Sequence, residues 1–592
     1  MVTALTVEAV LTDRFGLANL REKQKEVIGN VLSGKHCLAL LPTGYGKSLC
    51  YQLPSQILSG ITLVVSPLIA LMQDQLSGLL KRGIDNATVI NSSVSSEELE
   101  ERYQGIRSGR YKLIYVAPER LDTPRFKALL QHLNVSLFVI DEAHCISQWG
   151  HDFRPQYRHM RRYLEMIPET TVLAVTATAT PRVRDDIIHS LNLDDMKIVQ
   201  GDFDRPNLRL EVEQCTNNAD KDRHLFRALG ESNQSAIVYV SSRKEAEALT
   251  GRLKVSKIKA ACYHAGLPAE ERKRAQRRFE EDEVQAIVST VAFGMGVDKA
   301  TIRKVIHYNL PPSLENYYQE AGRAGRDGRD AVCTLLYQAK DIYTQRWLMQ
   351  QNYPTEKQIH DVLACLKAGN PMRAYEIRDQ VDMSDSALNS TIDLFNQLEL
   401  VILTSEGARL KEGNKTLTYV NTAPMKARRD RDAARLDMMV NYATGIKCRR
   451  QYILGYFGQT IENTCSGCDI CAPKPKYDEL VETLKFTNKP KGTSAKKQSL
   501  SYQSGEPLRK AIYNLTKDLS GKVGRTTIAN ILSGSKAKKL IEKDFHKLPA
   551  YGSFAHKRAE SILSEIDALV EDGHLRVIPG MYPKLVVARA LN

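Results

Sequence analysis

The strongest constraint on the fold of this chain is a rhythm. Short apolar runs alternate with helix-patterned stretches, and the whole alternation occurs twice. The first pass carries apolar runs at residues 37–41, 62–66, 112–116, 137–140 and 171–175. Such runs, each followed by an amphipathic helical pattern, read as strands buried on both faces. After a proline-containing turn segment at 201–207 the pattern restarts, with runs at 236–240, 259–263, 285–289, 304–307 and 332–336. The expected architecture is therefore α/β: two tandem parallel-sheet lobes, over residues 1–202 and 203–345, with helices on both faces of each sheet.

The character then changes. Residues 357–420 show two or three amphipathic helices followed by a hairpin expected at 398–404 and 416–420, the pattern of a small winged-helix-like domain. One helical run, 423–457, leads into a cysteine cluster, and 421–484 is expected to form a module of its own. Residues 485–505, rich in Lys, Ser, Thr and Gly, read as a linker. Residues 506–592 return to helices ending in two short strands around Pro579-Gly580-Met581-Tyr582-Pro583. The formal charge of the 592 residues is +14, and about +10 of it falls after Cys471 (22 Lys and Arg against 12 Asp and Glu). A basic C-terminal region favours a polyanionic partner. No apolar run reaches the roughly 18–20 residues of a membrane span, and the start carries no secretion signal. No membrane association is expected.

Eleven cysteines are present. Seven are scattered singly. Cys465, Cys468 and Cys471 form C-x2-C-x2-C, with Cys448 seventeen positions upstream. In a reducing compartment this grouping reads as a metal site rather than disulfides.

Pro42-Thr43-Gly44-Tyr45-Gly46-Lys47-Ser48 follows an apolar run and opens a helix. The backbone N–H groups of such a loop face phosphates. Lys47 is placed to reach the β- and γ-phosphates, and the Ser48 hydroxyl to ligate Mg²⁺. Asp141-Glu142-Ala143-His144 closes another strand, at the sheet end where α/β folds present ligands. Asp141 is expected to hold Mg²⁺ through water, and Glu142 to orient and deprotonate the attacking water. In the second lobe, Gln319 to Gly328 places Arg323 and Arg326 three apart on one helical face, suited to an arginine finger.

Taken together these motifs resemble superfamily 2 helicases and, specifically, the RecQ family. The resemblance runs over residues 12–340 and resumes at Cys448 and in the C-terminal segment. It is carried by Pro42–Ser48, by Ser66-Pro67-Leu68-Ile69-Ala70, by Ala117-Pro118-Glu119-Arg120-Leu121, and by Asp141–His144 running into Gln148-Trp149-Gly150-His151-Asp152-Phe153-Arg154-Pro155. Thr176-Ala177-Thr178-Ala179-Thr180, Tyr263-His264-Ala265-Gly266, Phe293-Gly294-Met295-Gly296 and Gln319–Gly328 complete the set.

The resemblance implies RecA-like lobes with ATP between them. It assigns Arg21, Gln24, Thr43, Gly44, Gly46, Lys47 and Ser48 to the nucleotide, with Gln24 reading adenine, and adds His144 to the catalytic group of Lys47, Asp141, Glu142, Arg323 and Arg326. Leu17 and Leu20 stand where the family often has aromatic rings, and Tyr45 where it often has glycine. Zn²⁺ suits four thiolates, so Cys448, Cys465, Cys468 and Cys471 are expected to form a structural zinc site, with Cys448 on a helix. Arg449 and Arg450 are expected to contact phosphates. DNA is expected to meet Trp149, Phe153 and Arg154 on the first lobe. Arg525, Thr526, Thr527, Ser535, Lys536 and Tyr582 are expected to meet it on a C-terminal winged helix. The family's small terminal helical domain is expected to be absent.

The function so implied is an ATP-dependent 3′→5′ DNA helicase for duplex or branched DNA in recombination and repair. Its cofactors are ATP, Mg²⁺ and Zn²⁺. Its partners are single-stranded, forked or branched DNA and a single-stranded-DNA-binding protein. It is expected as a monomer in the cytoplasm, at the bacterial nucleoid, or in the nucleus if eukaryotic. The alternatives are an RNA helicase or duplex translocase, and a DNA-binding scaffold with weak catalysis.

Overall fold

The computed structural model describes residues 4–150, 152, 154–293, 299–404, 406–414, 416–460, 465, 467–472, 506–519, 523–535, 540–541, 544–557, 559–578 and 584–588. Phe153, Lys536, Tyr582 and the 294–298 part of the second-lobe motif lie outside these. The chain divides into two compact units, Met1–Lys476 and Tyr477–Asn592.

The first lobe is a seven-stranded sheet built from β1 (Cys37–Leu40), β2 (Ile61–Val65), β3 (Ala87–Ile90), β4 (Leu113–Val116), β5 (Val135–Asp141), β6 (Thr171–Thr176) and β7 (Lys197–Gln200), in the order β3-β4-β2-β5-β6-β1-β7. Every pair is parallel. The second lobe has six strands: β8 (Leu208–Gln214), β9 (Ala236–Tyr239), β10 (Ala260–Tyr263), β11 (Ala286–Ser289), β12 (Lys304–His307) and β13 (Ala331–Tyr337). Their order is β10-β11-β9-β12-β13-β8, again all parallel. The central strands are buried on both faces, which is why they read as unbroken apolar runs. The sequence reading missed β3, β7 and β8. β3 and β7 are short edge strands, and β8 alternates hydrophobic and charged residues directly after the turn segment.

Residues 353–425 enclose a separate core, with Ile359, Leu363, Phe395 and Leu410 at its centre. Its hairpin pairs Val401–Thr404 with Gly407–Leu410, not with 416–420. Gly407 explains the tight return: at φ +134° it sits so close to Met372 that an added Cβ would lie 2.2 Å from the Met372 carbonyl oxygen. The expected single helix over 423–457 is two, Ala423–Thr444 and Arg449–Tyr456, broken at Gly445.

The second unit packs helices Glu506–Asp518, Arg525–Leu532 and Ala559–Glu571 against an antiparallel hairpin, Leu575–Ile578 with Lys584–Val587. That is winged-helix geometry. Among the described residues, no helix is long and apolar enough to cross a membrane.

Candidate active site

The phosphate loop leaves the end of β1 and turns through Gly44 (φ +82°) and Gly46 (φ +83°), a left-handed backbone that glycine adopts without strain. Gln24 packs so tightly beneath it that a Cβ on Gly46 would lie 2.6 Å from the Gln24 amide nitrogen. That amide donates to the carbonyls of Tyr45 at 3.0 Å and Gly46 at 3.1 Å, and its oxygen accepts from the Arg21 N–H at 2.9 Å. Arg21 donates to the Gly44 carbonyl at 2.8 Å and lies over the Tyr45 ring at 5.1 Å. Arg21 and Gln24 thus hold the loop itself, and Tyr45 contributes a face for the guanidinium. Ser48 immediately precedes the helix Leu49–Ile57, whose N-terminus meets the loop. Burial pushes the Lys47 ammonium down, against the opposing pull of Glu142 and Asp141.

Asp141 ends β5 and is buried. Glu142 then adopts a left-handed conformation (φ 49°, ψ 50°) that costs a non-glycine residue about 1–3 kcal/mol. Its N–H donates to Asp141 Oδ1 at 3.0 Å. His144 Nδ1 sits 3.3 Å from Glu142 Oε2 and 2.9 Å from Thr176 Oγ1. Burial first, and the Glu142 charge second, push the Asp141 carboxyl up to about 7. Between pH 4 and 7 the folded chain therefore holds a proton there that the unfolded chain has lost, so this group's contribution to stability falls as pH rises through that window. Asp141→Asn is accordingly expected to raise the melting temperature of the metal-free, nucleotide-free protein at pH 8. The gain should shrink towards pH 4, as read by thermal melts across pH, while ATP turnover is lost.

The second lobe faces this loop with the helix Leu314–Ala321 and the turn that follows it; Arg323 and Arg326 lie on that turn and not on one helical face as the sequence predicts, because the helix ends at Ala321 and the chain turns through Gly322 and Gly325. An added Cβ on Gly44 would lie 3.2 Å from Arg326 Cγ, so the Arg326 side chain rests on the phosphate loop. Its charge is among those pressing Lys47 down. Arg323 is buried, and its charge bears on Tyr239. Gln319 donates across the lobes to Thr178 Oγ1 at 3.0 Å. Arg205, which no sequence pattern singled out, stitches the two sides together. It donates to the Thr43 carbonyl of the phosphate loop at 3.3 Å, and to the carbonyls of Gly322 (3.2 Å), Ala324 and Gly325 (2.9 Å each). Its place before a proline in a turn segment had suggested only a turn.

After His144, the described residues Trp149, Gly150, Asp152 and Arg154 are held by neighbouring segments. Arg154 donates to the Pro67 carbonyl at 2.7 Å and pairs with Asp152 at 3.2 Å. Trp149 is half-buried, with the Arg182 guanidinium 3.1 Å and that of Arg431 4.6 Å from its ring centroid. Arg435 holds the Trp149 and Gly150 carbonyls.

The four clustered cysteines converge, their sulfurs all within 4.8 Å of one another. Cys448 and Cys468 Sγ lie 3.9 Å apart. Thiolates at the corners of a tetrahedron, each 2.3 Å from a zinc ion, would be about 3.8 Å apart, so the donor set fits zinc. Cys448 precedes the helix Arg449–Tyr456 instead of lying on it. Arg449 and Arg450 are not phosphate contacts. Both are buried, Arg449 paired with Asp469 at 3.0 Å and Arg450 with Asp204, because the cysteine loop and the inter-lobe segment close over them. In the second unit Arg525 and Thr526 are exposed on the first turn of their helix, and Arg525 pairs with Asp567 at 2.7 Å. Ser535 is half-buried, its carbonyl accepting from the Tyr551 hydroxyl at 3.0 Å.

Two sheets meeting through a phosphate loop, an acidic strand end and an arginine-bearing turn define a helicase motor. Residues 21–187 match the DEAD/DEAH box helicase family, and 220–328 the helicase conserved C-terminal domain. Residues 411–472 match the RecQ zinc-binding domain, and 507–591 the RQC domain. The ATP-dependent DNA helicase RecQ of Bacillus subtilis is 34% identical over 584 residues, 98% of this chain and 82% of that one. That of Pasteurella multocida is 34% identical over 571 residues, 96% and 74% of the two chains. The probable ATP-dependent DNA helicase RecS of Bacillus subtilis is 38% identical over 395 residues, 66% and 79%. This chain belongs to the RecQ family.

Proposed function

We propose that the chain is an ATP-dependent 3′→5′ DNA helicase that unwinds forked or branched DNA in recombination and repair, wherever the cell keeps its chromosome. The observation that carries this reading is the seam at the phosphate loop. Arg326 lies on Gly44, and Arg205 binds the loop and the arginine segment at once, so hydrolysis at the loop can be felt by the second lobe. ATP supplies a γ-phosphoryl group for transfer to water. Lys47 neutralises charge on it, Glu142 orients the attacking water with His144 behind it, and Ser48 and Asp141 hold Mg²⁺. Arg326 is the arginine finger, and Arg323 supports the turn that presents it. The cysteines hold Zn²⁺ in a structural site with no open position. Thr526 and the exposed helix start around it face DNA phosphates. The chain works as a monomer and meets single-stranded-DNA-binding protein on its substrate.

The test is ATP hydrolysis measured alone, with single-stranded DNA and with RNA, beside strand displacement on forked, 3′-tailed and 5′-tailed substrates. Stimulation by DNA over RNA, and displacement from 3′ tails, are expected. Equal stimulation by RNA would remove the reading.

Trp149 is the residue proposed to sense the tracking strand, since an aromatic face stacks on any base. Trp149→Ala is expected to abolish most DNA stimulation. It should cost only about 1–2 kcal/mol of stability, from two cation–π contacts at a half-exposed site, short of the roughly 3–5 kcal/mol of a fully buried aromatic. Melting curves beside ATPase rates with and without DNA check this, and full stimulation in a folded variant would refute it.

A further inference from the structure

Residues 329–410 fall between two matched family segments, and past β13 they include most of the small domain at 353–425, to which the active site gives no task. Between the small domain they build and the first lobe lies a cavity of about 300 Å³. The first lobe supplies Gln148 and Arg162 to its wall. The helix Asp385–Gln397 supplies Asp393, Leu394 and Asn396, and the helix Ala423–Thr444 supplies Met425, Arg428 and Arg431.

We propose that this cavity takes one nucleotide unit of single-stranded DNA, its phosphodiester held by Arg162, Arg428 and Arg431. The size sits at the small end of ligand pockets, about 300–1,000 Å³, and excludes a duplex. The charge balance favours an anion. Three arginines face two acids on the wall, Asp393 and Glu399, and Glu399 is engaged by Lys411 at 3.8 Å. Burial and the neighbouring Arg435 press Arg431 down, and its Nε, buried, has no hydrogen-bond partner among the described residues. A phosphate oxygen would relieve both. Tyr353, Leu394 and Met425 offer the apolar surface on which a base can lie. The position matters as much as the chemistry. Gln148 directly precedes Trp149, and Arg431 reaches from the cavity over the Trp149 ring. A nucleotide seated here presses on the loop that runs back to Asp141 and Glu142. The small domain is thereby a second wall of the strand's path. This inference rests on the helicase reading.

The test uses the full chain and an oligothymidylate containing 4-thiothymidine. On irradiation, crosslinked peptides containing Tyr353 or Met425 are expected. Arg162→Ala with Arg428→Ala should weaken oligonucleotide binding at least about tenfold at fixed salt. It should also lower the salt slope by up to about 0.7, the contribution of one neutralised single-strand phosphate. Asn396→Trp, which fills the cavity without removing charge, should weaken binding as well. Crosslinks confined to other peptides would overturn the proposal even where a variant fails to fold. So would wild-type slopes in variants whose melting curves are intact. Thymidine monophosphate that displaces the oligonucleotide at similar concentration would assign the cavity to a free nucleotide and overturn the strand assignment. A wild-type chain that DNA does not stimulate would instead sink the helicase reading. DNA stimulation with an unoccupied cavity would sink this inference alone.

Discussion

Glu142→Gln and Lys47→Ala are each expected to lower DNA-stimulated ATP turnover by about 10²–10³-fold or more and to abolish unwinding, while nucleotide-free DNA binding persists. Preorganised charge aimed at the transferring phosphoryl group is worth several kcal/mol in a water-excluded site. Glutamine at 142 keeps the shape and the left-handed turn but removes the base that accepts the water's proton. His144 Nδ1, which meets both Glu142 Oε2 and Thr176 Oγ1, keeps its threonine partner. Lys47 sits within reach of both carboxylates' fields, so its removal also takes away one of the cations that offset Asp141 and Glu142. Steady-state hydrolysis and fluorescence anisotropy with labelled DNA separate the two effects. Near-normal turnover in either variant would overturn the assignment of both residues.

The residues in that prediction were legible in the sequence because their geometry is local. A glycine loop after a buried strand, and an acid pair at a strand end, carry their own backbone context. The cysteine cluster was legible for the same reason, apart from the placement of Cys448, which depends on where a helix breaks. What stayed hidden depends on contacts between distant segments. Arg205 reaches residues on either side of the inter-lobe seam, and nothing in its neighbourhood records that. Arg449 and Arg450 look like surface cations in a basic run, yet Asp469 and Asp204, arriving from other segments, bury them. The hairpin was misplaced because 416–420 alternates like a strand. The true partner, Gly407–Leu410, is short, begins with glycine and pairs on its other side with Met372 through backbone hydrogen bonds to Ala408.

Those hidden contacts decide what loss of zinc should do. Cys468 is fully buried, and its loop adds to the open edge of the second lobe's sheet. Leu210 N–H donates to the Gly467 carbonyl at 2.9 Å, and Asp469 N–H returns to the Leu210 carbonyl at 3.0 Å. Just upstream, the inter-lobe segment is gripped from the same module. Phe203 stacks on Phe457 at 5.1 Å, its N–H donates to Gln459 at 2.9 Å, and Arg450 donates to the Leu208 carbonyl at 2.8 Å. A zinc ion bound by four thiolates contributes folding free energy directly, of order 10–16 kcal/mol in isolated zinc-binding peptides. Cys468→Ser is therefore expected to release the metal, to lower the melting temperature sharply and, through β8 and Arg205, to depress ATP turnover at a site to which no cysteine of the cluster belongs. One zinc per chain by elemental analysis, lost in the variant together with DNA-stimulated hydrolysis, is the expected result. Pure, DNA-binding protein without zinc would remove the metal assignment. A zinc-free variant with normal melting and normal turnover would show that the cysteine loop does not brace the inter-lobe segment.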